Sequence, residues 1–138
     1  MTGPIESGSV IPIKPIQRAF TLIEMLVVMA IMATLLSLVA PRYFDSLTRS
    51  KEKLLHQDLI VIRDAIDHFY SDTGHYPDTL QELVQRKYLR TLPDDPVTSS
   101  SATWLVIPPS EPEAKGAMAD IKSGAVGVAS DGSQYAQW

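Results

Sequence analysis

Residues 22–40, "LIEMLVVMAIMATLLSLVA", are apolar or small at every position but one. A run of about 20 such residues is what an α-helix needs to cross the hydrocarbon core of a bilayer. The exception is Glu24. A carboxylate at mid-bilayer costs roughly 2.5 kcal/mol or more, so its presence calls for a use. Thr34 and Ser37 do not break the pattern, because their hydroxyls can bond back to helix carbonyls. A secretory signal peptide has a shorter apolar region, about 7 to 15 residues, that ends at a small-residue cleavage site. This run is longer and leads into Pro41, Arg42 and Tyr43, so a retained membrane helix is predicted. Lys14 and Arg18 precede it, while Arg42, Arg49, Lys51 and Lys53 follow, and this charge count by itself would place the trailing side in the cytoplasm.

The chain has 138 residues, so with the apolar front set aside residues 42–138 must supply one modest core. Cysteine is absent, which excludes disulfides, thiolate zinc sites and a thiol nucleophile. Of twelve Lys and Arg, Lys14 and Arg18 precede this region and ten remain; of sixteen acids, Glu6 and Glu24 precede it and fourteen remain. A mildly acidic domain has no general attraction for phosphate backbones, so nucleic acid is not an expected partner.

Residues 1–18 carry Pro4, Pro12, Pro15, Gly3 and Gly8 without helical or strand period and read as a leader. Beyond Pro41, residues Leu55, Leu59, Ile62, Ile66 and Phe69 recur at spacings of three and four, one face of an amphipathic helix over residues 41–72. Pro41 lacks a backbone N–H and predicts a kink where the two halves meet. Gly74 suits a left-handed cap with Pro77 close behind. A short helix is predicted over 78–88, capped by Asp78 or Thr79 with Gln81 or Glu82 reaching back. Residues 89–138 read as strands and loops: "LPDDPVTSSS" is a loop whose Asp94 and Asp95 are expected to face solvent, "TWLVI" (103–107) is a strand, and 117–122 and 125–128 are weaker strand candidates. Asp131-Gly132 is a turn, and Tyr135 and Trp138 are expected to pack on the sheet.

Chemistry-bearing constellations are sparse. His56, His68 and His75 lack zinc spacing, and no nucleophile elbow accompanies any serine, so no enzymatic activity is expected. Arg42, Arg49, Lys51 and Lys53 form a solvated collar, with contacts to Asp45, Glu52 or Asp58 of an adjacent subunit as the sharper alternative.

The stretch "RAFTLIEMLVVMAIMATLLSLVAPRY" resembles the class III signal of type IV pilins and type II secretion pseudopilins. "DTGHYPDTLQEL", "YLRTLPDDP" and "DIKSGAVG" with "DGSQYAQW" resemble the G-type, or major, pseudopilin branch. The resemblance implies an α+β pilin-like fold, with a long N-terminal helix packed on a small C-terminal antiparallel sheet. It implies a prepilin leader over 1–19 cut by a prepilin peptidase between Ala19 and Phe20, N-methylation of Phe20, a transmembrane and assembly helix over 20–40, and a periplasmic domain over 41–138. Ala19 departs from the family's usual glycine. Cytoplasmic cleavage would put the N-terminus inside and override the charge count.

The same resemblance gives Glu24 a role, pairing with the new terminal amine of a neighbouring subunit. The plainer reading has Glu24 simply favouring the positive helix N-terminus. Implied partners are copies of the chain in a filament, minor pseudopilins, and an inner-membrane platform with its ATPase. Major pseudopilins often hold one calcium near the C-terminus. Val126 stands here where that pattern commonly has aspartate, leaving Asp131, with Asp120 as a distant helper, and no other cofactor is expected. The alternatives are a type IV or minor pilin serving adhesion, motility or DNA uptake, and a non-polymerising single-span periplasmic binding protein or enzyme.

Overall fold

The computed structural model describes residues 1–4, 8–9 and 19–138. The chain divides into two compact units, Met1–Val39 and Ala40–Trp138. Helix α1 runs Leu22–Thr73 and continues through Pro41. Helix α2 is Leu80–Gln85, and strands β1 (Trp104–Ile107) and β2 (Asp120–Ser123) form one antiparallel sheet. The architecture is α+β, a long N-terminal helix and a two-stranded sheet, as the sequence implies.

In the first unit every residue from Ala19 onward is exposed, including Leu22, Ile23, Leu26, Met29 and Leu36. Among the described residues, α1 is the one helix long and apolar enough to cross a membrane. Thr34 Oγ1 donates to the Ala30 carbonyl at 2.8 Å and Ser37 Oγ to that of Ala33 at 2.7 Å, so neither hydroxyl opposes an apolar surrounding.

In the second unit α1 becomes one-sided. Leu55, Leu59, Ile62, Ile66 and Phe69, the face read from the sequence, are each at most 1% exposed. They pack with Leu83 of α2, Trp104 of β1, Ile121 of β2, and Leu89, Met118, Ala125, Ala129 and Tyr135 from the loops. Gly74 caps α1 at φ +75°, its N–H donating to the Tyr70 carbonyl at 2.8 Å. Thr79 caps α2 by accepting from the Glu82 N–H at 3.2 Å, and Glu82 reaches back to the Asp78 N–H at 2.9 Å.

Three differences from the sequence reading have physical causes. Helix α2 stops at Gln85 rather than 88 because Lys87 turns left-handed at φ +64°. The Tyr88 N–H then bonds the Leu83 carbonyl at 2.9 Å and the Lys87 N–H that of Val84 at 3.1 Å, closing the end with a Schellman pattern. Strand β2 begins at Asp120, not 117, because the Ala117 and Met118 amides donate to the Pro77 carbonyl. No strand forms over 125–128; Gly127 at φ +126° leaves the β region, and a lone bridge joins Val128 to Gln134.

Candidate assembly site

The site begins where α1 begins. Thr21 stands just before the first helical residue, so Glu24 is the third residue of the first turn. The Thr21 N–H donates to Glu24 Oε2 at 2.7 Å and the Thr21 hydroxyl donates to the same oxygen at 3.0 Å. The Glu24 N–H donates back to Thr21 Oγ1 at 3.3 Å. This reciprocal capping box satisfies two N–H groups at an otherwise unpartnered helix end. The sequence "TLIE" carries the T-x-x-E spacing of this box. Both of Glu24's capping bonds fall on Oε2, and a carboxylate has two oxygens and about four lone-pair sites. Glu24 can therefore cap its own helix and accept another donor.

Ala19 and Phe20 precede the helix and are exposed, Phe20 at 77%. Phe20, Ile23, Val27 and Val28 line a shallow apolar groove beside Glu24. The leader proposed over 1–19 falls partly outside the described residues. Lys14 and Arg18 are among those outside.

Further along α1, Arg42, Asp45, Ser46, Arg49, Ser50 and Lys53 line an exposed polar groove. Glu52 is not free for a partner subunit, contrary to the alternative raised from sequence. It is buried and accepts from the Ser130 N–H at 2.8 Å, the Ser130 hydroxyl and the Tyr135 hydroxyl at 2.9 Å.

Asp95 also corrects the sequence reading. Asp94 is exposed, but Asp95 is fully buried. Its carboxylate accepts from the Val97 N–H at 2.8 Å, the Thr98 N–H at 3.2 Å and the Ser123 hydroxyl. An aspartate turning onto amides two and three residues ahead is a local motif that sequence permits; the third bond, from β2, is what draws it inside.

The calcium candidates do not fit a hard cation, which needs about six to eight oxygen ligands. Asp120 Oδ1 accepts from Arg63 Nε at 2.8 Å and from the Ile121 N–H at 2.7 Å. Asp131 Oδ1 accepts from the Ser133 N–H at 2.9 Å and the Ser133 hydroxyl at 2.6 Å. Among the described residues no three His, Asp or Glu side chains gather as a metal-binding group. The histidines have other company: His56 stacks on Trp138, His75 meets Phe69 edge-on, and His68 bonds the Asp64 carbonyl.

The family described as a prokaryotic N-terminal methylation motif matches residues 14–40. The type II secretion system core protein G of Klebsiella michiganensis is 33% identical over 96 residues, covering 58% of this chain and 68% of that protein. The protein of that name from Klebsiella pneumoniae is 33% identical over 96 residues, covering 58% of this chain and 69% of the relative. That from Escherichia coli K12 is 35% identical over 77 residues, covering 56% of this chain and 53% of the relative. No solved structure matches the chain. The methylation motif sits over the capped start of an exposed apolar helix, and the similarity continues through much of the chain, which belongs to the type II secretion system core protein G family.

Proposed function

We propose that this chain is a structural, non-enzymatic subunit of a secretion pseudopilus. In this reading a prepilin peptidase cuts between Ala19 and Phe20, Phe20 is N-methylated, and the helix anchors the subunit once through the inner membrane with the C-terminal domain in the periplasm. Subunits then leave the lipid by packing their apolar halves against one another, beside minor pseudopilins and on an inner-membrane platform. The observation that carries the reading is the run of exposed apolar side chains that starts directly behind a capped Glu24. Such a surface demands lipid or a partner, and the similarity to a type II secretion system core protein supports that reading.

Glu24 contributes register. Oε2 holds the helix start, while the other oxygen accepts from the Phe20 ammonium of a neighbouring subunit. Two opposite charges desolvated together attract strongly, and either one buried alone is penalised, so a slipped subunit is rejected. The test separates charge from capping. Glu24→Ala leaves membrane insertion and processing intact and abolishes incorporation into filaments. Glu24→Gln keeps an oxygen that can accept from Thr21 but carries no charge; it too fails to incorporate if the ion pair sets register. Normal incorporation of Glu24→Gln sinks the pairing mechanism.

A further inference from the structure

The residues that close the chain lie on α1 through two side chains one helical turn apart, Glu52 and His56. Glu52 Oε1 accepts from the Ser130 N–H at 2.8 Å and the Tyr135 hydroxyl at 2.9 Å, and Oε2 accepts from the Ser130 hydroxyl. The Trp138 ring stacks on His56 at 3.8 Å between centroids and 20° between planes. Trp138 Nε1 donates to Ser133 Oγ at 2.7 Å, and that hydroxyl donates to Asp131. Inside the loop the Ala129 N–H donates to the Ser133 carbonyl at 2.7 Å and the Gly132 N–H to that of Ala129 at 3.0 Å.

The polarity of this arrangement is the informative part. A cation site turns oxygen lone pairs inward. This loop turns one N–H and two O–H donors toward a single buried anion. A divalent cation entering beside Glu52 would have to break those bonds and rotate both hydroxyls. Asp131 is already committed to Ser133, and Asp120 to Arg63.

We propose that Glu52 serves as the chain's own ion for the C-terminal loop, fastening residues 129–138 to α1 so that this segment holds its fold without a bound metal. His56 and Trp138 clamp the far end of the same segment. The disagreement with the calcium implied by family resemblance is thus a replacement: a carboxylate from the helix organises donors where a cation would organise acceptors.

The test is made on the unassembled full chain in detergent, so it reads independently of polymerisation. Thermal unfolding is followed by circular dichroism and tryptophan emission, in added calcium and in chelator. The two wild-type Tm values coincide. Glu52→Ala lowers Tm by about 4–8 °C or more, the shift expected in a domain of this size when net hydrogen bonding is lost. It also speeds amide exchange at Ser130 by at least about tenfold, the factor set by 1.4 kcal/mol. Should Glu52→Ala fail to fold, Tyr135→Phe keeps the ring, removes one donor and gives a smaller drop in Tm. A rise in wild-type Tm with calcium overturns the proposal. So does wild-type stability in both Glu52→Ala and Tyr135→Phe.

Discussion

Glu52 and Tyr135 stand 83 positions apart in sequence, yet the Tyr135 hydroxyl donates to the Glu52 carboxylate at 2.9 Å inside the folded domain. Both ends of the domain's chain path are therefore joined by a pair that ionises at opposite extremes of pH.

The pH dependence follows from that pairing. Burial pushes the Glu52 carboxyl up, but the Ser130 hydroxyl, the Ser130 N–H and Tyr135 favour the anion and hold it below the ordinary 4.5. A depressed value means the native state releases the proton more readily, so the stability is present above 4.5 and lost as pH falls through the lower folded value. Burial first, and Glu52 second, raise Tyr135 above 10.0. Its contribution is complete below 10.0 and lost as pH rises through the folded value. Stability measured against pH has both edges in the wild type. The acid edge is shallower in Glu52→Gln and the alkaline edge is shallower in Tyr135→Phe. Unchanged profiles in these variants would contradict the assignment.

Asp95 anchors the loop before β1 to β2. Truncation in Asp95→Ala leaves the Val97 and Thr98 amides and the Ser123 hydroxyl without their acceptor. Unsatisfied buried donors cost about 1–3 kcal/mol, and more when the lost partner is charged. Chemical denaturation is expected to show that loss, with a smaller one for Asp95→Asn, which keeps an acceptor oxygen. Ser123→Ala combined with Asp95→Ala is expected to cost less than the sum of the two, because they share a bond.

What could be read from sequence was what depended on near neighbours. The core face of α1, the Gly74 cap and the Thr79 cap follow from spacings of three to five residues, and they stand as read. The burial of Asp95 and Glu52 is not legible locally, because their deciding partners lie 28 and 78 to 83 positions away. An acid between prolines, or among lysines on a helix, carries the local signature of a solvated group. The missing third strand had a local cause, the positive φ of Gly127, but glycine permits that conformation without requiring it. At the candidate assembly site, Thr21 is legible in its T-x-x-E spacing, whereas the partner proposed for Glu24's remaining oxygen would belong to another molecule and would leave no spacing in this one.

Two glycines at positive φ separate backbone strain from lack of room. Gly74 has φ +75° with open space around its Cβ position, and Gly116 has φ +104° with that position 2.1 Å from the Tyr76 carbonyl oxygen. Gly74→Ala costs roughly 1–2 kcal/mol for the left-handed backbone. Gly116→Ala adds an overpacking cost of about 1–3 kcal/mol, since a backbone oxygen rather than a flexible side chain must move. Equal losses of Tm for the two variants would show that the loop at Gly116 relaxes freely.

Processing is predicted by where the helix starts. Thr21 caps the first turn of α1, so the Ala19–Phe20 peptide bond lies just outside the helix, with both residues exposed. A protease needs an extended backbone, which helical hydrogen bonds would deny it. Mass spectrometry of the mature chain is expected to show a sequence starting at Phe20 with the mass of one added methyl group. Ala19→Gly installs the glycine that the pilin-like resemblance implies before the cut and is expected to speed the cut without moving it, read as the rate of leader loss in membranes. Thr21→Ala removes the capping hydroxyl, at a cost of about 0.5–2 kcal/mol to the helix end. It leaves the cut in place while loosening the first turn that presents Glu24, so this variant is processed normally but joins filaments less well. A processing defect in Thr21→Ala, with normal incorporation of whatever is processed, would mean that the cap serves the protease instead of assembly.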